Sequence, residues 1–77
     1  MGKIKGWEKM KTQSYHYANY FNVSSSDSLS VMKVGDGSTN IEVFNNKTGK
    51  HKIVRNFRTK EQALQYAYAY MRSHPNG

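Results

Sequence analysis

The feature of the sequence that most constrains the fold is an amphipathic segment from Thr59 to Ser73. Thr59 can cap the N-terminus of a helix, Gln62 follows at the capping-box spacing, and Pro75 stops the helix. One face at helical spacing is apolar and consists of Ala63, Leu64, Ala67, Tyr70 and Met71. A helix with one apolar face needs a second layer to cover that face, so we expect the rest of the chain to form a sheet.

Runs of residues typical of β-strands precede this helix. They span residues 14–23, 29–34, 39–44 and 51–57. Turn-forming residues at 35–38 and 45–49 join the last three runs into an antiparallel meander, and a serine-rich loop at 24–28 precedes it. The sequence therefore predicts an α+β fold, with an antiparallel sheet of three to four strands packed on one C-terminal helix. The expected core consists of Tyr17, Val31, Ile41, Val43, Ile53, Ala63, Leu64, Ala67 and Met71.

The lysine-rich residues 1–13 predict either a short edge strand or an arm. Trp7 is expected to pack over one end of the core, and the alternative is that it stacks on a nucleic-acid base. The 77 residues make one domain, 1–77, and the order of residues 1–6 is left open.

The formal charge of +7 is concentrated in two groups of lysine and arginine, one near each end of the chain. Such a balance favours anionic partners, and the alternative is that the charge serves solubility. The candidate nucleic-acid-binding residues are Lys5, Lys9, Lys11, Lys47, Lys50, Lys52, Arg55, Arg58 and Lys60. On the last strand, Lys52 is expected to face away from Ile53, whereas Arg55 shares the parity of Ile53 and should lie at the sheet rim.

The sequence contains no constellation typical of an active site. There is no cysteine, and the spacing of His16, His51 and His74 does not place two of them on one helix face, so we expect neither a metal nor a cofactor. Five scattered acidic residues offer no pair for acid–base catalysis, and enzymatic activity is not expected. No apolar run approaches the ~20 residues of a membrane span, and no signal-peptide core is present, so we expect a cytoplasmic protein without a membrane partner.

Two functions fit these observations. The first is non-enzymatic binding of nucleic acid, chiefly duplex DNA with little sequence specificity, through the basic hairpin and a sheet face. The alternative is a protein-interaction module or homodimer that uses a tyrosine-rich surface.

Three short motifs carry a resemblance to known proteins. They are Gly6-Trp7, Phe57-x-Thr59-Lys60-x-x-Ala63, and the closing run from Tyr70 to Gly77. Together they resemble a group of very small archaeal and archaeal-virus proteins of uncharacterised function. This resemblance implies an archaeal or viral origin and a compact sheet-plus-helix design, and it implies no functional residues.

The pattern of strands followed by a helix is also similar to the DNA-binding domains of plant AP2 proteins and the arm domains of tyrosine recombinases. Those domains insert their sheet into the major groove. The likeness implies that the open sheet face and the hairpin tips would touch DNA.

Overall fold

The computed structural model describes residues 4–77, which form one antiparallel sheet covered on one face by one helix. The strands are β1 (Trp7–Lys9), β2 (His16–Asn22), β3 (Asp27–Lys33), β4 (Thr39–Asn45) and β5 (Lys50–Phe57), and the helix is α1 (Lys60–Ser73). Neighbours in the sheet follow chain order, so β1 and β5 are its two edges. The α+β class is confirmed, and the sheet has five strands where the sequence predicted three to four.

The additional strand, β1, comes from the segment that the sequence left as an edge strand or an arm. Trp7 pairs with Asn22 of β2, and its side chain is only 3% exposed, so it belongs to the core and cannot stack on a base. Ile4 packs against the same core. The sequence left open whether residues 1–6 are ordered. Of these, residues 1–3 lie outside the described residues.

The core lies between the helix and one face of β2, β3 and β4. Ala63, Ala67 and Met71, four residues apart on α1, face the sheet, and the small side chains of the two alanines let the helix approach closely. The fully buried predicted residues are Val31, Ile41, Val43, Ala63, Ala67 and Met71. Ile53 and Leu64 are half-buried against this core, and the sequence analysis omitted Leu29, which has no exposed surface.

The core assignment of Tyr17 is wrong because β2 contains a bulge. His16 pairs with Met32 and Ala18 pairs with Val31, so Tyr17 is an extra residue without a partner on β3. An extra residue reverses the alternation of side chains beyond it. Ala18 therefore fills the core position, and Tyr17 is 36% exposed.

A second bulge, in β5, changes the position of Lys52. Val43 pairs with Ile53 and Phe44 pairs with His51, which leaves Lys52 as the extra residue. Lys52 was expected to face away from the helix. Its ammonium group instead lies 2.8 Å from the carboxylate of Asp27, which is buried on the helix side, so that expectation is wrong.

Candidate nucleic-acid interface

One end of the sheet is closed by the segment that follows the helix; we call it the clamped end. The indole Nε1 of Trp7 donates to the carbonyl oxygen of His74 at 2.9 Å, and the amide of Asn22 donates to the carbonyl oxygen of Pro75 at 3.0 Å. Gly6, at φ +84°, lies so close to Pro75 that a Cβ there would overlap the Pro75 carbonyl oxygen. Gly6-Trp7 and the residues that follow α1 therefore meet in space.

Asp27, which has no exposed surface, organises the polar interactions at the clamped end. Its carboxylate accepts hydrogen bonds from Lys52 Nζ at 2.8 Å and from Asn45 Nδ2 at 2.6 Å. Burial alone would raise the pKa of Asp27, but the hydrogen bonds from Lys52, Asn45 and Ser25 outweigh it and lower the pKa below its ordinary value. The same bond raises the pKa of Lys52. Lys52 is thus committed to a buried partner.

The other cations between residues 47 and 60 lie in the turn before β5, along β5, between β5 and α1, and at the first residue of α1. We call them the basic edge: Lys47, Lys50, Arg55, Arg58 and Lys60. All five residues are exposed, and within residues 4–77 the ion pairs are Lys52–Asp27 and His51–Glu42, so the basic edge has no carboxylate partner there. Arg55 lies on the edge strand, as expected, with its Cζ 5.3 Å from the centre of the Tyr66 ring.

The opposite end of the sheet, where α1 begins, carries exposed aromatic side chains; we call it the tyrosine end. Tyr17 is 36% exposed, and Lys60 Nζ lies 4.9 Å from the centre of its ring. Tyr15 is 50% exposed, and its ring centre is 4.4 Å from that of His16. The other four tyrosines are half-buried against the core: Tyr20, Tyr66, Tyr68 and Tyr70. The tyrosine-rich surface expected from the sequence is therefore limited to Tyr15 and Tyr17.

The face of the sheet that α1 does not cover is polar and has few charges. Pairs of amide and hydroxyl side chains bond across it, as in Ser30 to Asn19 at 3.2 Å and Asn56 to Asn40 at 2.7 Å. Its charged side chains include Glu42, which lies 3.2 Å from His51. The strand registers place no lysine or arginine of residues 4–77 on this face. It therefore lacks the cations that insertion into a DNA groove would use.

The N-terminal candidates Lys5, Lys9 and Lys11 are exposed at the other edge of the sheet, beside or within β1. Four strand spacings separate the two edges, a distance of about 19 Å. The nine predicted residues therefore divide by position: three lie at the β1 edge, Lys47, Lys50, Arg55 and Arg58 lie at the β5 edge, Lys52 is paired with Asp27, and Lys60 lies over Tyr17 of β2. The contact between Tyr17 and Lys60 had no local signal in the sequence, because the two residues are far apart along the chain.

Residues 4–77 contain no group of three histidine, aspartate or glutamate side chains that could hold a metal ion. The 14-residue helix α1 is too short and too polar to cross a bilayer. Comparison of the chain with protein-family models, curated proteins and solved structures finds no match.

Proposed function

We propose that this protein binds nucleic acid without catalysing a reaction, and that the basic edge contacts the phosphates. The observation that supports this function is the row of five exposed cations, none of which has a carboxylate partner within residues 4–77. The eight residues of β5 extend over about 26 Å, long enough to follow several phosphates of a DNA strand. Contacts of this kind are independent of base sequence.

The position of the cations favours one orientation of the nucleic acid. Lys50 pairs with Asn45 and Arg55 pairs with Ile41, which places both side chains on the helix side of β5. The uncovered face offers no such cations within residues 4–77. In this proposal the phosphate backbone of the nucleic acid lies along the edge and the helix side of β5. The open face of the sheet does not enter a groove of the DNA.

The basic edge has one competing explanation. Lysine on an edge strand also prevents that strand from pairing with another copy of the protein, and both sheet edges here carry lysine. If the basic edge binds phosphate, affinity for DNA should fall with salt and should depend on the cations of β5 more than on those near β1. If the lysines only protect the edges, no such dependence is expected.

The test measures binding of a labelled 20-base-pair DNA duplex by fluorescence anisotropy over a series of salt concentrations. The test variant replaces Lys47, Lys50, Arg55 and Arg58 with glutamine, and the control variant replaces Lys5, Lys9 and Lys11. Lys52 is left intact because its loss would destabilise the fold. Each lost phosphate contact should lower the slope of log affinity against log salt by about 0.9.

We expect the test variant to lose most of its affinity for the duplex and most of the salt dependence of that affinity. The control variant should lose less of both. If wild type and test variant bind with equal affinity and equal slope, the proposed function is wrong.

Self-association through the open face is the second candidate function. Val54 on that face is 59% exposed, and Phe44 beside it packs edge-on against His51 with ring centres 5.0 Å apart. The open faces of two copies can meet without bringing cations together. The β5 edges of two copies cannot meet in this way, because their cations would repel each other. Light scattering at high concentration should then show a dimer that Val54→Lys converts to a monomer. A monomeric wild type would rule this candidate out.

A further inference from the structure

The tyrosine end combines exposed aromatic rings with cations, and this combination bears on the kind of nucleic acid that is bound. We propose that Tyr15 and Tyr17 are a base-stacking site, so that the ligand is a single strand whose unpaired bases reach these rings. This inference rests on the proposed function and goes further by naming the class of ligand.

The exposure of these two rings is the first argument. The other four tyrosines pack against the core, whereas Tyr15 is 50% exposed and Tyr17 is 36% exposed. Tyr17 is the extra residue of the β2 bulge, and bulges redirect side chains, often beside functional sites.

The second argument is that each ring is already oriented by one neighbour. Lys60 Nζ lies 4.9 Å from the centre of the Tyr17 ring, and the His16 ring lies 4.4 Å from that of Tyr15 at an angle of 36°. Each contact restricts the rotation of its ring, and the exposed part of each ring is surface that a base could cover. The ammonium group of Lys60, held beside Tyr17, would meet the phosphate of a base stacked there.

The third argument is continuity with the basic edge. Arg58 follows β5, and Thr59 caps α1. Lys60 is the first residue of α1, and its ammonium group lies over the Tyr17 ring. A strand that follows β5 therefore reaches the tyrosine end through consecutive residues of the chain. The bases of a duplex are stacked on each other and cannot use the rings, whereas unpaired bases stack readily on tyrosine.

The experiment compares three labelled ligands: 12-nucleotide oligothymidylate, a 12-nucleotide abasic backbone, and a 12-base-pair duplex. The variants are the double substitution Tyr15→Ala with Tyr17→Ala, and the double substitution Tyr15→Phe with Tyr17→Phe, which retains the rings. Circular dichroism checks that each variant is folded. We expect the alanine variant to lose at least 5-fold in affinity for oligothymidylate, since stacking on one aromatic side chain contributes about 5- to 150-fold.

The abasic strand and the duplex should bind the alanine variant as they bind the wild type, and the phenylalanine variant should restore binding of oligothymidylate. If the alanine substitutions leave oligothymidylate unaffected while binding still falls with salt, the stacking site is wrong and the basic edge stands. If the wild type binds none of the three ligands, the proposed function itself is wrong.

Discussion

The two ends of the sheet use the same kinds of side chain in different ways. At the clamped end, Lys52 bonds to the buried carboxylate of Asp27, and a buried charge of this kind is tolerated only when it is paired. At the tyrosine end, Lys60 lies over an exposed ring, and no ion pair within residues 4–77 includes it. Two lysines eight positions apart in one basic run therefore have different surroundings: Lys52 is paired with a buried carboxylate, and Lys60 lies over an exposed ring.

Aromatic residues show the same contrast. Trp7 at the clamped end is 3% exposed and donates its indole N–H to the chain after the helix. Tyr17 at the tyrosine end is 36% exposed, and its ring contacts the exposed Lys60. Substitutions at the clamped end should therefore reduce stability more than substitutions at the tyrosine end. The predictions below test this difference.

The largest effect is expected for Gly6→Ala at the clamped end. The added Cβ would overlap the Pro75 carbonyl oxygen, and φ +84° is a conformation that alanine adopts only with strain. We expect the free energy of unfolding, measured with urea, to fall by about 3 kcal/mol.

The control is Gly35→Ala, where a Cβ would meet nothing within 4 Å. It should change the free energy of unfolding by no more than about 0.5 kcal/mol. Equal effects at the two glycines would contradict a contribution of the clamp to stability.

The next largest effect is expected for Lys52→Met, which leaves the buried carboxylate of Asp27 without its cation. Asn45 still donates to that carboxylate, so we expect a loss of about 2 kcal/mol in the free energy of unfolding. Lys50→Met on the same strand removes an exposed charge and should have little effect on stability. Similar losses for the two variants would show that Lys52 is not a structural cation.

Acid should weaken the clamped end by a smaller amount. Because the pKa of Asp27 in the folded protein is lowered, its contribution to stability is complete above the ordinary value of 3.8 and is lost as the pH falls through the lowered pKa. Urea unfolding from pH 7 to pH 2 should show this loss in the wild type and a smaller loss in Asp27→Asn.

Some acid dependence should remain in that variant, since hydrogen bonds from Ser38 lower the pKa of Asp36 at the other end of the sheet. Identical pH profiles for the two proteins would contradict the role given to Asp27.

The smallest effect is expected at the tyrosine end, for Thr59→Ala. The hydroxyl of Thr59 accepts a hydrogen bond from the backbone N–H of Gln62 at 3.2 Å and caps α1. Loss of this cap should lower the free energy of unfolding by about 1 kcal/mol. Gln65→Ala, on the exposed face of the same helix, is the control and should be near neutral. A loss as large as that of Gly6→Ala would mean that both ends stabilise the fold equally.

Local patterns predicted most of the elements correctly. The helix was expected from Thr59 to Ser73, and it is capped by Thr59 and spans Lys60–Ser73. The meander was expected at 29–34, 39–44 and 51–57, and the three strands differ from those bounds by at most two residues. These signals are local because capping, turn geometry and strand propensity depend on residues close together in sequence.

The predictions that depended on strict alternation along a strand were less successful. Tyr17 and Lys52 were each assigned to a face by parity, and each is the extra residue of a bulge. Asn22 and Asp27 lie in or beside a stretch that resembles a loop, yet both are fully buried. Nothing nearby in the sequence indicated that Asp27 would meet a lysine 25 positions away.

The sequence by itself determined the elements, their order and the α+β class, because these follow from interactions between neighbouring residues. Only the tertiary structure decided which cation is paired with a buried carboxylate, and which tyrosines are exposed to solvent. A one-residue shift in pairing moves a side chain from one face of a sheet to the other. The two shifts seen here, in β2 and β5, depend on how whole strands pair and pack in the folded sheet.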